Sequence, residues 1–148
     1  RTVTGVQTCA LPILISAGRL DDARKEAKAA VDATEGVPPV RVMSLSALAH
    51  VELLKGNVEE ADRLAADAIA QLDGLGGIEE GEAYIRLVQI DALDALGRRD
   101  EAKDALEVAR DRLVAHAERI QDPEFRKRFL ADVPEHARTM EMARERLG

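Results

Sequence analysis

The chain has 148 residues, 46% hydrophobic and 33% charged, with a formal net charge of −7. That mix suits one folded soluble domain and opposes non-specific binding to phosphate backbones, while Cys9, the sole cysteine, excludes internal disulfides and thiolate metal clusters. Phe125, Phe129 and Tyr84 are the only aromatics. The core must therefore be built of Leu, Ile, Val and Ala, whose small side chains suit thin layers of paired helices.

Residues Arg1 to Ile13 stand apart, Thr- and Val-rich and without helical periodicity. The run Val3 to Ile13 looks like the translation of a common sequencing-library adapter. Residues 1–13 are accordingly expected to be an artefactual extension on a domain truncated at its N-terminus. A signal peptide fits poorly, because Arg1 alone is basic and Pro12 interrupts the apolar stretch Cys9 to Ile15. No run approaches the roughly 20 apolar residues that cross a bilayer. The expectation is a cytoplasmic protein without membrane partners.

Leu14 to Ala17 reads as the tail of a first helix, turned at Gly18. Asp21 to Ala33 follows as a helix that packs through Ala23, Ala27, Ala30 and Val31, and Gly36-Val37-Pro38-Pro39 breaks it. Val42 to Lys55 places Leu45, Leu48, Val51 or Glu52, and Leu54 at helical spacing, with Ala49 allowing close approach. Gly56 supplies a left-handed C-cap, and Asn57 is expected to cap the next helix with Glu60 as reciprocal partner. Leu64, Ala65, Ala68, Ile69 and Leu72 continue that helix, with Glu59 and Arg63 as an i,i+4 pair.

Gly74-Leu75-Gly76-Gly77 forms the next joint, then Glu82 to Leu96 carries Ile85, Val88 or Gln89, Ala92 and Leu93. Gly97 turns the chain into Asp100 to Ala117, with Ala102, Leu106, Ala109 and Leu113 inward; Glu107 and Asp111 form a mildly repulsive pair. Asp122 and Pro123 start a closing helix whose Phe125 and Phe129 are expected to cover the end of the core, with Asp122–Arg126 and Glu124–Arg128 pairs on its surface. Pro134 opens a final helix through Leu147.

One phrase recurs through these elements. It reads Gly18-Arg19-Leu20-Asp21-Asp22-Ala23, Gly56-Asn57-Val58-Glu59-Glu60-Ala61 and Gly97-Arg98-Arg99-Asp100-Glu101-Ala102. Three copies of a glycine turn, an acidic first turn and a small residue predict stacked helical hairpins. Read outward from Gly56, Leu48-Ala49, Ala61, Ala65 and Ala68 stand at the packing positions of a tetratricopeptide repeat, with Leu45 replacing the early aromatic. The last copy matches at Ile90, Leu93, Gly97, Ala102, Leu106 and Ala109, with Arg86 at the aromatic position, and the partial copy at Gly18, Ala23, Ala27 and Ala30. The chain thus resembles a tetratricopeptide repeat domain, although its glycines lie 38 and 41 residues apart against a family period of about 34.

The resemblance implies an all-α, right-handed solenoid of antiparallel helical hairpins over residues 14–148. It comprises a partial repeat 14–35, repeats 42–73 and 82–118, and C-terminal capping helices 122–148. The tail, from Arg126-Lys127-Arg128-Phe129-Leu130 through Pro134-Glu135-His136-Ala137-Arg138 to Leu147-Gly148, is similar to the closing segment of large bacterial signalling proteins. In those, a kinase or cyclase module and an AAA-type ATPase region precede a tetratricopeptide array.

No constellation points to catalysis, a cofactor or a metal. His50, His116 and His136 lack ligand-like partners at motif spacing, where zinc would take three or four. The recurring acidic pairs compensate helix dipoles. Gly74-Leu75-Gly76-Gly77 lacks the Lys-Ser/Thr of a phosphate loop, and Ser16, Ser44 and Ser46 lack a nucleophile elbow. Arg126-Lys127-Arg128 is the best basic patch, but in an acidic chain it does not indicate nucleic acid.

In tetratricopeptide stacks the first helices line a concave face, whose positions here are Met43, Ser46, His50, Leu53, Tyr84, Leu87, Asp91 and Asp94. Apolar anchors among acids imply a protein or peptide partner that is basic and amphipathic. The expected function is therefore a non-catalytic interaction or regulatory scaffold that also engages upstream domains of its own polypeptide. The alternatives are a passive cap on a longer solenoid and an accessory domain regulating an upstream kinase or ATPase module.

Overall fold

The computed structural model describes residues 11–148, and the regular structure there is entirely helical. Residues 11–16 are helical, and seven helices follow: α1 (Leu20–Ala33), α2 (Pro38–Leu54), α3 (Val58–Gly74), α4 (Glu82–Ala95), α5 (Arg99–Glu118), α6 (Pro123–Ala131) and α7 (Pro134–Leu147). The reading of residues 1–10 as an extension lies outside the described residues. Residues 11–13 belong to the first helical run, and Leu11 is buried.

The three glycine phrases build the same turn. Gly18 N–H donates to Ile15 O and Arg19 N–H to Leu14 O; Gly56 and Asn57 repeat this on Leu53 and Glu52, and Gly97 and Arg98 on Asp94 and Leu93. The glycines have φ of 72°, 84° and 77°, the left-handed conformation that a residue with a Cβ resists. The residues after them share φ of −89°, −87° and −85° with ψ of 64°, 69° and 67°. Each second helix therefore leaves its turn in the same local direction.

That shared geometry overturns the expected capping box. The ψ of Asn57 falls short of the extended range from which a capping side chain reaches the first free amides, and its side chain caps nothing. Asn57 Nδ2 instead donates to Glu52 Oε2 at 3.3 Å. Glu60, freed from a capping role, takes Arg63 at 2.6 Å in place of the expected Glu59–Arg63 pair. The start of α2 also differs from the expected Val42. Pro38 occupies a first-turn position, where its missing N–H leaves no bond unmade, so the two prolines open α2 as well as closing the gap after α1.

Consecutive helices pack against each other from α1 through α5, and α7 packs on α5. The first helices of the hairpins also touch across the stack, α2 with α4 and α4 with α7, whereas no comparable contact joins α1 to α3 or α3 to α5. First helices thus form the tighter, inner layer. Alanines make the spacing possible: Ala23, Ala27, Ala61, Ala68 and Ala102 are wholly buried on the second helices. Helix α4 is buried on two sides. Ile85, Val88 and Ala92 join the cluster around Leu45, Leu48 and Leu72, while Leu87, Ile90 and Leu93 join Leu106 and Met142.

The end of the stack is closed differently from the expectation. No residue of α6 is buried and Phe125 is 57% exposed, under the guanidinium of Arg128. Asp122 caps α6 as expected, accepting from the Glu124 and Phe125 amides. Arg126 does not pair with Asp122; it donates to the Ala117 and Ile120 carbonyls and so ties α6 to the free C-terminus of α5. The covering is done by α7, through Thr139, Met142 and Ala143. It wins because it lies beside α4 and α5, where an aliphatic face remains open, while α6 packs mainly on α5 and α7. Arg110 reaches both Glu107 and Asp111, which offsets their expected repulsion.

Ionic contacts tie successive hairpins. Lys55 meets Asp21, and Arg98 reaches Asp62 at 3.2 Å. Arg24 lies 2.7 Å from the buried Glu52, close but misaligned for a hydrogen bond. Arg86, 5% exposed at a position where a large apolar residue would pack, is held by Glu82 at 3.0 Å and Asp73 at 3.3 Å, with Arg112 on the far side of Glu82. Burial alone would raise the Glu82 pKa, but hydrogen bonds from Arg112 and Arg86 outweigh it and hold the carboxyl below its usual range.

Two stability predictions follow from these contacts. A Cβ added at Gly56 or Gly97 meets only open space, so Gly→Ala there isolates the backbone cost, about 1 kcal/mol lost in urea unfolding. At Gly36, which needs no positive φ, the same change should be neutral or stabilising. Glu82→Gln leaves buried Arg86 with Asp73 as its only carboxylate and is expected to cost about 2 kcal/mol, below the usual range for a broken buried pair because Asp73 remains.

Candidate functional site

The inner layer opens into a cleft of about 530 Å³, inside the roughly 300–1,000 Å³ typical of ligand clefts. Every first-helix element contributes to it: Leu11 and Ile15 from the initial helical run, Met43 and Ala47 from α2, Tyr84 from α4 and Glu135 from α7. Successive first helices run alongside one another. A residue facing inward on one is therefore brought beside its counterparts on the next despite the long stretch of intervening chain, 28 positions from Ile15 to Met43 and 41 from Met43 to Tyr84.

Of the eight positions expected on the concave face, Met43, His50 and Tyr84 line this cleft together. Ser46 and Leu87 are buried inside the helix packing, at 0% and 3% exposure, and present nothing to a partner. Leu53 is partly buried against the core cluster. Asp91 and Asp94 are engaged by α7: Arg138 grips Asp91 through two bonds of 2.7 and 2.9 Å, and Arg146 reaches Asp94 at 2.7 Å. Reversing those two acids would loosen α7 and so disturb the stack itself.

The residues missed by the sequence reading come from several elements, among them the initial helical run (Leu11, Ile15), α2 (Val40, Ala47) and the start of α7. Val133, Glu135 and His136 enter the cleft because α7 takes the place of a further first helix. Read as a terminal cap, α7 gave no reason to look for lining residues. The spacing of Ala47 from Met43, one helical turn, was an available signal.

Polar groups in the cleft are few, and two of them are paired. His50 Nδ1 and Tyr84 Oη are 3.1 Å apart, with the rings edge-on at 5.9 Å between centroids. Burial lowers the His50 pKa, opposed by the nearby Asp91 charge and reinforced by Arg138. The Tyr84 hydroxyl is pushed well above its ordinary value, by burial first and by the charge of Glu135 second. At neutral pH the pair is therefore an uncharged donor and acceptor set in apolar walls, suited to positioning a ligand's polar group.

A second cavity of about 1,080 Å³ lies by the glycine-rich joint, between α4, α5 and the start of α7. Its Arg86, Arg112 and Glu82 satisfy one another. Phe129 sits between two imidazoles there, 4.8 Å from His116 and 4.4 Å from His136, and His136 Nδ1–H donates to the Phe129 carbonyl at 2.8 Å. Among the described residues no group of three or more His, Cys, Asp or Glu is placed to hold a metal ion, and no helix is long and apolar enough to cross a membrane. No protein-family model matches the chain, and no curated protein or solved structure matches it significantly.

The His50 environment sets a pH dependence. The folded state holds the imidazole neutral below its ordinary 6.5, so as pH falls through that value the unfolded chain takes the proton first and the fold loses stability. The loss continues until the folded form protonates too. Urea unfolding from pH 7.5 to 5.5 should fall by at most about 1.4 kcal/mol per pH unit from this residue, and His50→Gln should flatten the slope.

Proposed function

We propose that this chain is a protein-interaction segment of a regulatory scaffold, with the cleft between its first helices as the peptide-binding surface and no catalysis of its own. One observation carries the reading: every first-helix element supplies a residue to the same apolar cleft, and Met43, His50 and Tyr84 meet there. Such a surface, apolar with a few polar groups and built from successive helices, suits a helix or extended segment. The resemblance of the glycine phrases to tetratricopeptide repeats, with the right-handed solenoid it implies, supports the same function. The tail's similarity to bacterial signalling proteins supports a cytoplasmic setting downstream of a kinase, cyclase or ATPase module.

A second reading, the passive cap, draws support from α7. Arg138 and Arg146 occupy Asp91 and Asp94, and the open face of the last hairpin is covered. The two readings diverge on whether the cleft is used. Met43→Arg with Ala47→Arg fills the cleft from partly exposed positions without entering the core. Interaction partners recovered by proximity labelling from the native context should disappear in this variant while its helical content and melting temperature stay near wild type. An unchanged set of partners would assign the cleft no role and leave the cap reading.

A further inference from the structure

We propose that the cleft selects a peptide segment carrying a lysine or arginine next to an aliphatic anchor, with the cation meeting Glu135 and the anchor lying against Met43, Ala47 and Tyr84. This inference rests on the peptide-cleft reading above and specifies the chemistry of the partner. Among the described lining residues Glu135 is the one formally charged side chain; the rest are apolar or carry hydroxyl or imidazole groups. Glu135 is half-buried and has no ion pair among the described residues.

The cation nearest along the helix is committed elsewhere, and so are two others of the inner layer. Arg138, one turn along the same helix, is held by both oxygens of Asp91, Arg146 by Asp94, and Arg41 by the Val31 carbonyl. The α7 N-terminus offers Glu135 a partial positive charge of about one half, which leaves the site net negative. His50, kept neutral by burial at pH 7, does not supply the missing charge. The field of the carboxylate reaches the inner polar end of the cleft, where it acts on the Tyr84 hydroxyl.

A single unpaired carboxylate beside an apolar wall favours a cation more strongly than the same group in open water, because the low-dielectric surroundings screen it less. The wall itself is aliphatic and adaptable, with Met43 able to shift around different anchors. The overall charge of −7 steers in the same direction, toward basic partners and away from phosphate-bearing ones.

The test selects a random nonapeptide display library on the full chain, with Met43→Arg/Ala47→Arg as the counter-selection. Enrichment of Lys or Arg beside Leu, Ile or Met is the expected result. Selection on Glu135→Gln should keep the aliphatic preference and lose the basic one, and a selected peptide should bind this variant about tenfold more weakly, with a reduced salt dependence. Circular dichroism of Glu135→Gln checks that α7 stays folded. Aliphatic enrichment without basic residues, or equal affinity for both proteins, overturns the cation inference and leaves the cleft as a peptide site. No enrichment over the counter-selection overturns both.

Discussion

Everything in this molecule depends on how closely one helix can approach the next. With a core of aliphatic side chains, burial energy comes from many small contacts, and these form only if the helices come within reach of one another. Alanines at Ala23, Ala27, Ala61, Ala68 and Ala102, all fully buried, remove the bulk that would hold the layers apart. The left-handed glycines at Gly18, Gly56 and Gly97 then fold each hairpin tightly enough for those surfaces to meet. Close approach on the first-helix side, without the same contact between second helices, is what opens a cleft on the inner layer.

Charge takes over where small side chains leave gaps. Arg86 stands at a buried position of α4, where Glu82 and Asp73 compensate its charge and Arg112 completes the set. Asp91 and Asp94, which in isolation read as bait for a basic partner, hold the chain's own last helix. The inner face therefore satisfies Asp91 and Asp94 internally and leaves Glu135 without an ion pair among the described residues.

Much of this could be read in the residues. The helices, their glycine turns and the buried alanines follow from periodicity and from the recurrence of one phrase, since those are local properties of the backbone. Helix ends were less legible. Pro38 and Pro39 signal a break and a start equally well, and the Asn57 cap failed because the turn's ψ, repeated in all three copies, keeps the side chain from the amides it would have served. Phe125 and Phe129 looked like the lid because aromatics usually bury the most area, yet the surface that needed covering lay beside α7.

The sequence by itself determined the hairpins: which segments are helical, where they turn, and which face of each is apolar, because these rest on spacing within about 20 residues. Only the tertiary structure decided which inward positions remain open. Met43 and Tyr84 face the cleft while Ser46 and Leu87 are packed shut, and Glu135 arrives from a helix more than 90 residues beyond Met43. Exposure depends on what stacks against a helix, and the identity of that neighbour is a long-range fact that local periodicity does not carry.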